Sequence, residues 1–289
     1  MFVVIGIAFG IICTFTGFLL HGGSMMVFVA AWTEFIVIIG AAIGIFIGSN
    51  GMNGTKQAIA ACMHLLKPDP YTRESYLDLL IMLYKVFSIS RTEGMLVLES
   101  HLEEPEKSSI LSTNHSFLHN HHARDFFCDT MKVVVTGGVE PHQLAELMDA
   151  DLESSHASEA RAPDAMQAIA DALPAVGIVA CVLGIIVTMG HIGGAASEIG
   201  MAIGNALVGT FLGVMVAYVV VNPVVKAMQL RNGSAGQYLS CIRNAIECGA
   251  RGEPPMNAVE FARRNIDPEV RPTFAEMNKA VKERGKVVK

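Results

Sequence analysis

None of the chain's 21 Lys and Arg residues falls in residues 1–55 or 162–225. Nine lie between Lys56 and Arg161 and twelve between Lys226 and Lys289. The two basic-free stretches hold long apolar runs, and a run of ~20 apolar residues is what a helix needs to span a bilayer. They divide into four candidate spans: Val3–Leu20, Thr33–Gly51, Asp171–Met189 and Ile199–Val221. At about 1.5 Å per residue, each crosses or nearly crosses a hydrocarbon core ~30 Å thick.

The expected fold class is therefore all-α: a polytopic membrane protein with four transmembrane helices and a helical cytoplasmic domain. Charged residues are 17% of the chain and hydrophobic residues 52%, a balance that excludes a disordered chain or a small disulfide scaffold. The net charge of −6 and the lack of a basic stripe interleaved with aromatics argue against nucleic-acid binding. Cys13, Cys62, Cys128, Cys181, Cys241 and Cys248 form no CxxC pair and read as structural filler.

The connectors His21–Trp32 and Gly190–Glu198 carry no Lys or Arg. The positive-inside rule puts them outside, with both large polar segments and both termini on the cytoplasmic side. The first span has no basic n-region and no convincing cleavage site, so it is expected to be retained. Four blocks follow: a first transmembrane hairpin (1–51), a cytoplasmic helical domain (52–170), a second transmembrane hairpin (171–226) and a cytoplasmic tail (227–289).

Within the polar segments, apolar spacing predicts helices over Thr72–Ile89, Thr92–Leu102, Arg124–Val135 and Pro141–Ser158, with Ser108–Asn120 as a loop. The fourth span is expected to continue to about Arg231, with a separate helix over Gly236–Glu247. No GxxxxGK[ST] or other nucleotide loop is present, so the polar part reads as non-enzymatic. His115, His119, His121 and His122 invite a metal assignment, hence a membrane metal enzyme as an alternative. No completing Cys or carboxylate spacing is recognisable, and a solvated loop explains the cluster equally.

The third and fourth spans carry small residues at helical spacing. Gly177, Ala180, Cys181, Gly184 and Thr188 share one face, and Ala202, Ala206, Thr210, Gly213 and Ala217 share another. In lipid such faces allow close helix approach. Two readings stand: packing within the subunit, or a wet seam around another helix. Glu34 and Glu198 are expected at the outer mouths of their spans, with no acid, base or His near mid-span. An ion-conducting protein needs an ionisable group at depth, so a partner would have to supply it. Pro174 and Pro223 mark the inner ends of the third and fourth spans, either as boundary kinks or as a coupling device.

The runs DALPAVGIVACVLGIIVTMG (171–190) and GNALVGTFLGVMVAYVVVNP (204–223) resemble the third and fourth spans of the MotA family of flagellar stator subunits. ELMDADLESSHASEA (146–160), PPMNAVEFARR (254–264) and RPTF (271–274) are similar to the same family. The resemblance covers essentially the whole chain and implies an ion channel. Five copies would surround two copies of MotB, whose transmembrane Asp binds the ion, and the ring would push the rotor protein FliG. It assigns Thr210 to the pore lining, Pro174 and Pro223 to coupling, and Arg91 and Glu99 to rotor contact. Those two charges would lie close to one face if their helix is continuous, and Gly94 interrupts that reading. Cys181 stands where sodium-driven relatives tend to carry Thr. A thiol is a poor ligand for a hard cation, so the translocated ion is expected to be H+ rather than Na+, with no cofactor. An ExbB or TolQ type energising subunit shares the small-residue helices but has three spans.

Overall fold

The computed structural model describes residues 2–190, 193 and 195–285, and every regular element among them is helical. The elements are α1 (Phe2–Leu20), α2 (Met26–Ala30), α3 (Trp32–His64), α4 (Arg73–Glu93), α5 (Leu98–Glu103), α6 (His115–His119) and α7 (His121–Thr136). After them come α8 (Pro141–Met189), α9 (Ala196–Met215), α10 (Asn222–Ala250), α11 (Pro255–Arg264) and α12 (Phe274–Arg284). Four stretches are long and apolar enough to cross a membrane: α1, α3, α8, and α9 continued through α10.

The chain forms two compact units, one of residues Met1–Pro68 and Glu159–Leu230, the other of Asp69–Ser158 and Arg231–Lys289. Residues 52–68, 159–170 and 227–230 fall with the spans in the first, membrane unit, because helices run past the apolar runs that marked the spans.

In the membrane unit, α3 continues through the expected end of its span at Gly51. That residue sits at φ 62° and ψ 178°, far from helical values. Glycine tolerates this geometry at no Cβ cost, so the helix kinks there and resumes. A core of Ile38, Ala170, Leu173, Val208, Leu212 and Ala217 joins α3, α8, α9 and the turn after α9. The connector between α1 and α3 is not a surface loop. Its short helix α2 turns Val27 and Phe28 toward the core of the membrane unit and leaves Met26 and Val29 exposed. The Phe28 ring lies 5.3 Å from Phe15 and Phe18 and 5.7 Å from Phe211, and Ala31 is buried.

The polar unit has its own core. Leu79, Leu80, Leu83 and Phe87 of α4 pack with Phe117, Phe127, Met148, Tyr238, Ile242 and Ile246. Burial there pushes the Cys128 thiol up to about 11, which leaves it a packing group rather than a nucleophile. Three sequence expectations are corrected. The predicted Thr92–Leu102 helix is absent, since α4 ends at Glu93 and Gly94, at φ 94°, turns the chain into a 3-10 turn over Met95–Val97 before α5. The predicted Ser108–Asn120 loop contains a 3-10 turn (Leu111–Thr113) and α6. Asn114 and Asn120 cap α6 and α7 by accepting from Phe117 N–H and Ala123 N–H at 3.0 and 3.2 Å, which is why helices begin there. Lastly, neither Ser158 nor Arg231 ends a helix, because α8 and α10 continue through both positions.

Candidate functional site

The two small-residue faces meet each other inside the subunit. A Cβ built on Gly177 of α8 would stand 2.8 Å from the Gly209 carbonyl oxygen and 3.1 Å from Gly213 Cα of α9. One on Gly184 would stand 2.7 Å from Ala206 Cβ, and one on Gly209 would stand 3.1 Å from Ala180 Cβ. Any larger side chain would force the helices apart. Gly177, Ala180, Ala206 and Gly213 are accordingly buried. Their role here is the packing alternative, a contact within one chain, and the outward faces carry Ile178, Val182, Ile185 and Leu207 instead.

Of the hydroxyls on these faces, Thr188 is buried and donates to Gly184 O of its own helix at 2.8 Å. Thr210 stays half-buried, its Oγ1 reaching Gly177 O only at 3.5 Å. That contact is long for a hydrogen bond, so Thr210 keeps hydrogen-bonding capacity on the α8/α9 seam. Cys181 is buried beside it on α8.

Sequence reasoning missed Glu34. It was expected at an outer mouth, yet it is 7% exposed and its carboxyl lies between α8 and α9. A Cβ on Gly184 would stand 3.2 Å from Glu34 Oε1, and one on Gly209 2.9 Å from Oε2. Gly209 lies thirteen residues into α9, about 20 Å along its axis. On α8, however, Gly184 lies five residues before the helix ends at Met189, and Glu34 itself is in the first turn of α3. The residue thus sits near the ends of two spans, as expected, but with its carboxyl buried rather than open. A signal existed: Glu34 is the sole Asp, Glu, Lys or Arg in residues 1–55.

The prolines lie where expected along the chain. Pro174 is inside α8 and half-buried. Pro223 is the second residue of α10, directly after a π-helical turn over Val216–Val221. A proline removes the N–H that would bond four residues back, and the wider π turn takes up the resulting irregularity. Nearby, Gln167 Nε2 of α8 donates to Asp171 Oδ1 at 2.8 Å and reaches Asn222 Oδ1 at 3.4 Å, a link the sequence reading did not find.

Arg91 and Glu99 are both exposed, Arg91 in the last turn of α4 and Glu99 in the first turn of α5. They are held on two elements rather than one continuous helix. Buried Leu98 and Leu102 anchor α5 and leave Glu99 pointing outward. His115, His119, His121 and His122 are all exposed. Among the described residues no three His, Cys, Asp or Glu side chains converge as a metal-binding group.

A helical membrane protein whose two tightest spans pack small face to small face, with a hydroxyl and a carboxyl on the seam, defines a class of channel-forming subunit. Residues 118–239 match the MotA/TolQ/ExbB proton channel family, and residues 4–94 match the family described as Motility protein A N-terminal. Motility protein A of Escherichia coli is 33% identical over 97% of this chain and 92% of its own length. Chemotaxis protein LafT of Vibrio parahaemolyticus is 31% identical over 95% of this chain and 96% of its own. Among solved structures, C. jejuni MotAB matches with a TM-score of 0.76 at 18% identity, covering 94% of this chain and 98% of that one. The Bacillus subtilis flagellar MotAB stator complex matches with a TM-score of 0.71 at 19% identity, covering 89% and 92%. The chain belongs to the motility protein A family. It is a multi-pass inner-membrane protein and a flagellar stator subunit of the proton-channel class.

Proposed function

We propose that this subunit assembles with MotB into a ring that converts proton flow into torque on FliG. The observation that carries the reading is the α8/α9 seam. The charge-free stretches 172–189 of α8 and 199–215 of α9 lock together through Gly177, Gly209 and Gly213 and leave the apolar ridge of Ile178, Val182 and Ile185 uncovered. That ridge is a surface for lipid, for a neighbouring copy or for the MotB helix. Five copies around a MotB pair, with both termini in the cytoplasm, is the arrangement proposed. MotB's transmembrane Asp accepts and releases the ion, Thr210 lines the path, and Pro174 and Pro223 couple membrane events to the polar unit. Arg91 and Glu99, exposed on α4 and α5, contact FliG. The match of residues 4–94 to the Motility protein A N-terminal family supports this over an ExbB or TolQ type energising subunit.

Co-expression with MotB in a strain lacking its own stator tests the reading. Swimming should be restored and should persist when sodium is replaced by potassium at fixed pH. Swimming that stops in potassium overturns the proton assignment, and no swimming with a correctly inserted complex overturns the stator assignment. Reversing the charge of Arg91 or Glu99 should impair torque while proton flux continues.

A further inference from the structure

Glu34 differs from the threonines of the membrane unit. Thr14, Thr55 and Thr188 donate to backbone carbonyls of their own helices. The Glu34 carboxyl instead leaves α3 and enters the crevice between α8 and α9. Its Oε2 is buried and has no hydrogen-bond partner among the described residues. The groups around it are Ala180 and Gly184 from α8 and Ala206 and Gly209 from α9. The small residues there serve two ends at once. They let the helices approach, and they leave room for a carboxyl from a third helix, because a Cβ at Gly209 would stand 2.9 Å from Oε2.

An ionised carboxylate with neither a cation nor a donor beside it costs several kcal/mol in surroundings like these. Among the described residues, no Lys, Arg or other acid is found beside it in the contacts with α8 and α9. Cys181 is the titratable side chain nearest in sequence on α8, and Glu198, in the first turn of α9, is exposed. What such a group accepts is a small cation, and the smallest is the proton. Buried acids in membrane proteins sit on ion paths as a rule.

We infer that the Glu34 carboxyl, held between α8 and α9, is a proton-binding station of the channel, supplied by this chain in addition to the carboxylate brought by the partner. The inference rests on the channel reading proposed above. In each passage an O–H bond of a hydronium ion breaks, leaving water, as the O–H bond at Glu34 forms. The reverse transfer to water on the far side forms hydronium and restores the carboxylate. No electron moves and no other bond changes. The seam contacts of Gly177 and Gly213 are then structural, and Gly184 and Gly209 are specificity positions, because they fix the space the carboxyl occupies.

The test is proton flux into proteoliposomes holding the full subunit with MotB, followed with a pH-sensitive dye across a series of external pH values. Glu34→Gln should assemble, because it keeps the shape, and should lower flux by roughly tenfold or more. Glu34→Asp should retain most of the flux with a displaced pH profile, which a purely structural side chain would not produce. Flux and pH profile in Glu34→Gln equal to wild type overturn the station while leaving the channel reading intact. No flux in the wild type overturns the channel reading and the station with it. A second measurement needs no variant. Dicyclohexylcarbodiimide adds a carboxyl O–H across its C=N bond, and mass spectrometry locates the adduct. Labelling of Glu34 in the wild-type complex, with flux lost in proportion, is the expected result. Adducts are located on both chains, and label at Glu34 with MotB's Asp unlabelled and flux unchanged overturns the station.

Discussion

Gly177 and Gly213 touch backbone to backbone across the α8/α9 seam: a Cβ on Gly213 would stand 2.9 Å from Gly177 Cα and 2.6 Å from the Leu173 carbonyl oxygen. Neither neighbour is the flexible end of a side chain, so nothing there gives way cheaply. The contact also fixes the height at which Thr210 faces Gly177 O, and so sets where the hydroxyl of the seam lies.

Gly213→Ala should therefore lower the unfolding free energy of the detergent-purified subunit by about 1–3 kcal/mol, the usual cost of overpacking. Gly204→Ala is the control. It lies on the same helix with nothing within 4 Å of its added Cβ. It should be neutral or stabilising by up to about 1 kcal/mol, since alanine favours helix over glycine. Thermal unfolding of both variants checks the pair, and equal melting temperatures would show that the seam tolerates a Cβ.

The spans and the small-residue faces were legible because charge exclusion and helical spacing are local properties of a sequence. Pro174 and Pro223 were legible for the same reason. That the small faces meet each other is a pairing between distant segments, which spacing alone leaves open, so Gly177 and Gly213 could equally have faced another subunit. The burial of Glu34 was not legible, because it depends on α8 and α9 closing over the first turn of α3. The folding-in of Met26–Ala30 against α9 depends on Phe15, Phe28 and Phe211, residues brought together only by the fold. Arg91 and Glu99 were readable as exposed charges, but Gly94 puts them on two elements, and no helical-face argument reaches across a positive-φ turn.

In the polar unit, Gly249 of α10 lies against the buried ring of Phe87, where an added Cβ would lie within 3 Å of two ring carbons. Gly249→Ala should destabilise the subunit by about 1–3 kcal/mol. The double change Gly249→Ala with Phe87→Leu should recover part of that loss, because the smaller side chain vacates the contested space. Denaturant unfolding of the three variants gives the coupling directly.

Glu276 closes the capping box of α12. It accepts from Thr273 N–H and Oγ1 at 2.7 and 2.8 Å and pairs with Arg73 of α4. The Thr273 N–H bond first, then the Thr273 hydroxyl and the Arg73 guanidinium, hold its carboxyl below the ordinary value of 4.5. A group depressed on folding contributes stability above its unfolded value and loses it as pH falls through the folded one. The melting temperature of the wild type should therefore fall as pH drops below about 4.5. Glu276→Gln should start lower at neutral pH and show a shallower decline. Parallel profiles for the two proteins would show that the box contributes nothing to acid sensitivity.

Pro174→Ala and Pro223→Ala separate a hinge from a packing contact. Alanine restores the N–H missing at each position, and a helix-interior proline is unfavourable by about 3 kcal/mol relative to alanine. Both variants should unfold at the wild-type temperature or above it, and both should still co-purify with MotB. Swimming should nevertheless be lost, because the π-helical turn at Val216–Val221 and the missing backbone hydrogen bond at Pro174 within α8 would give way to ordinary helix and the step between two shapes would vanish. A variant that melts lower and loses MotB would mark its proline as a packing residue. A variant that melts higher and swims normally would remove it from the coupling path.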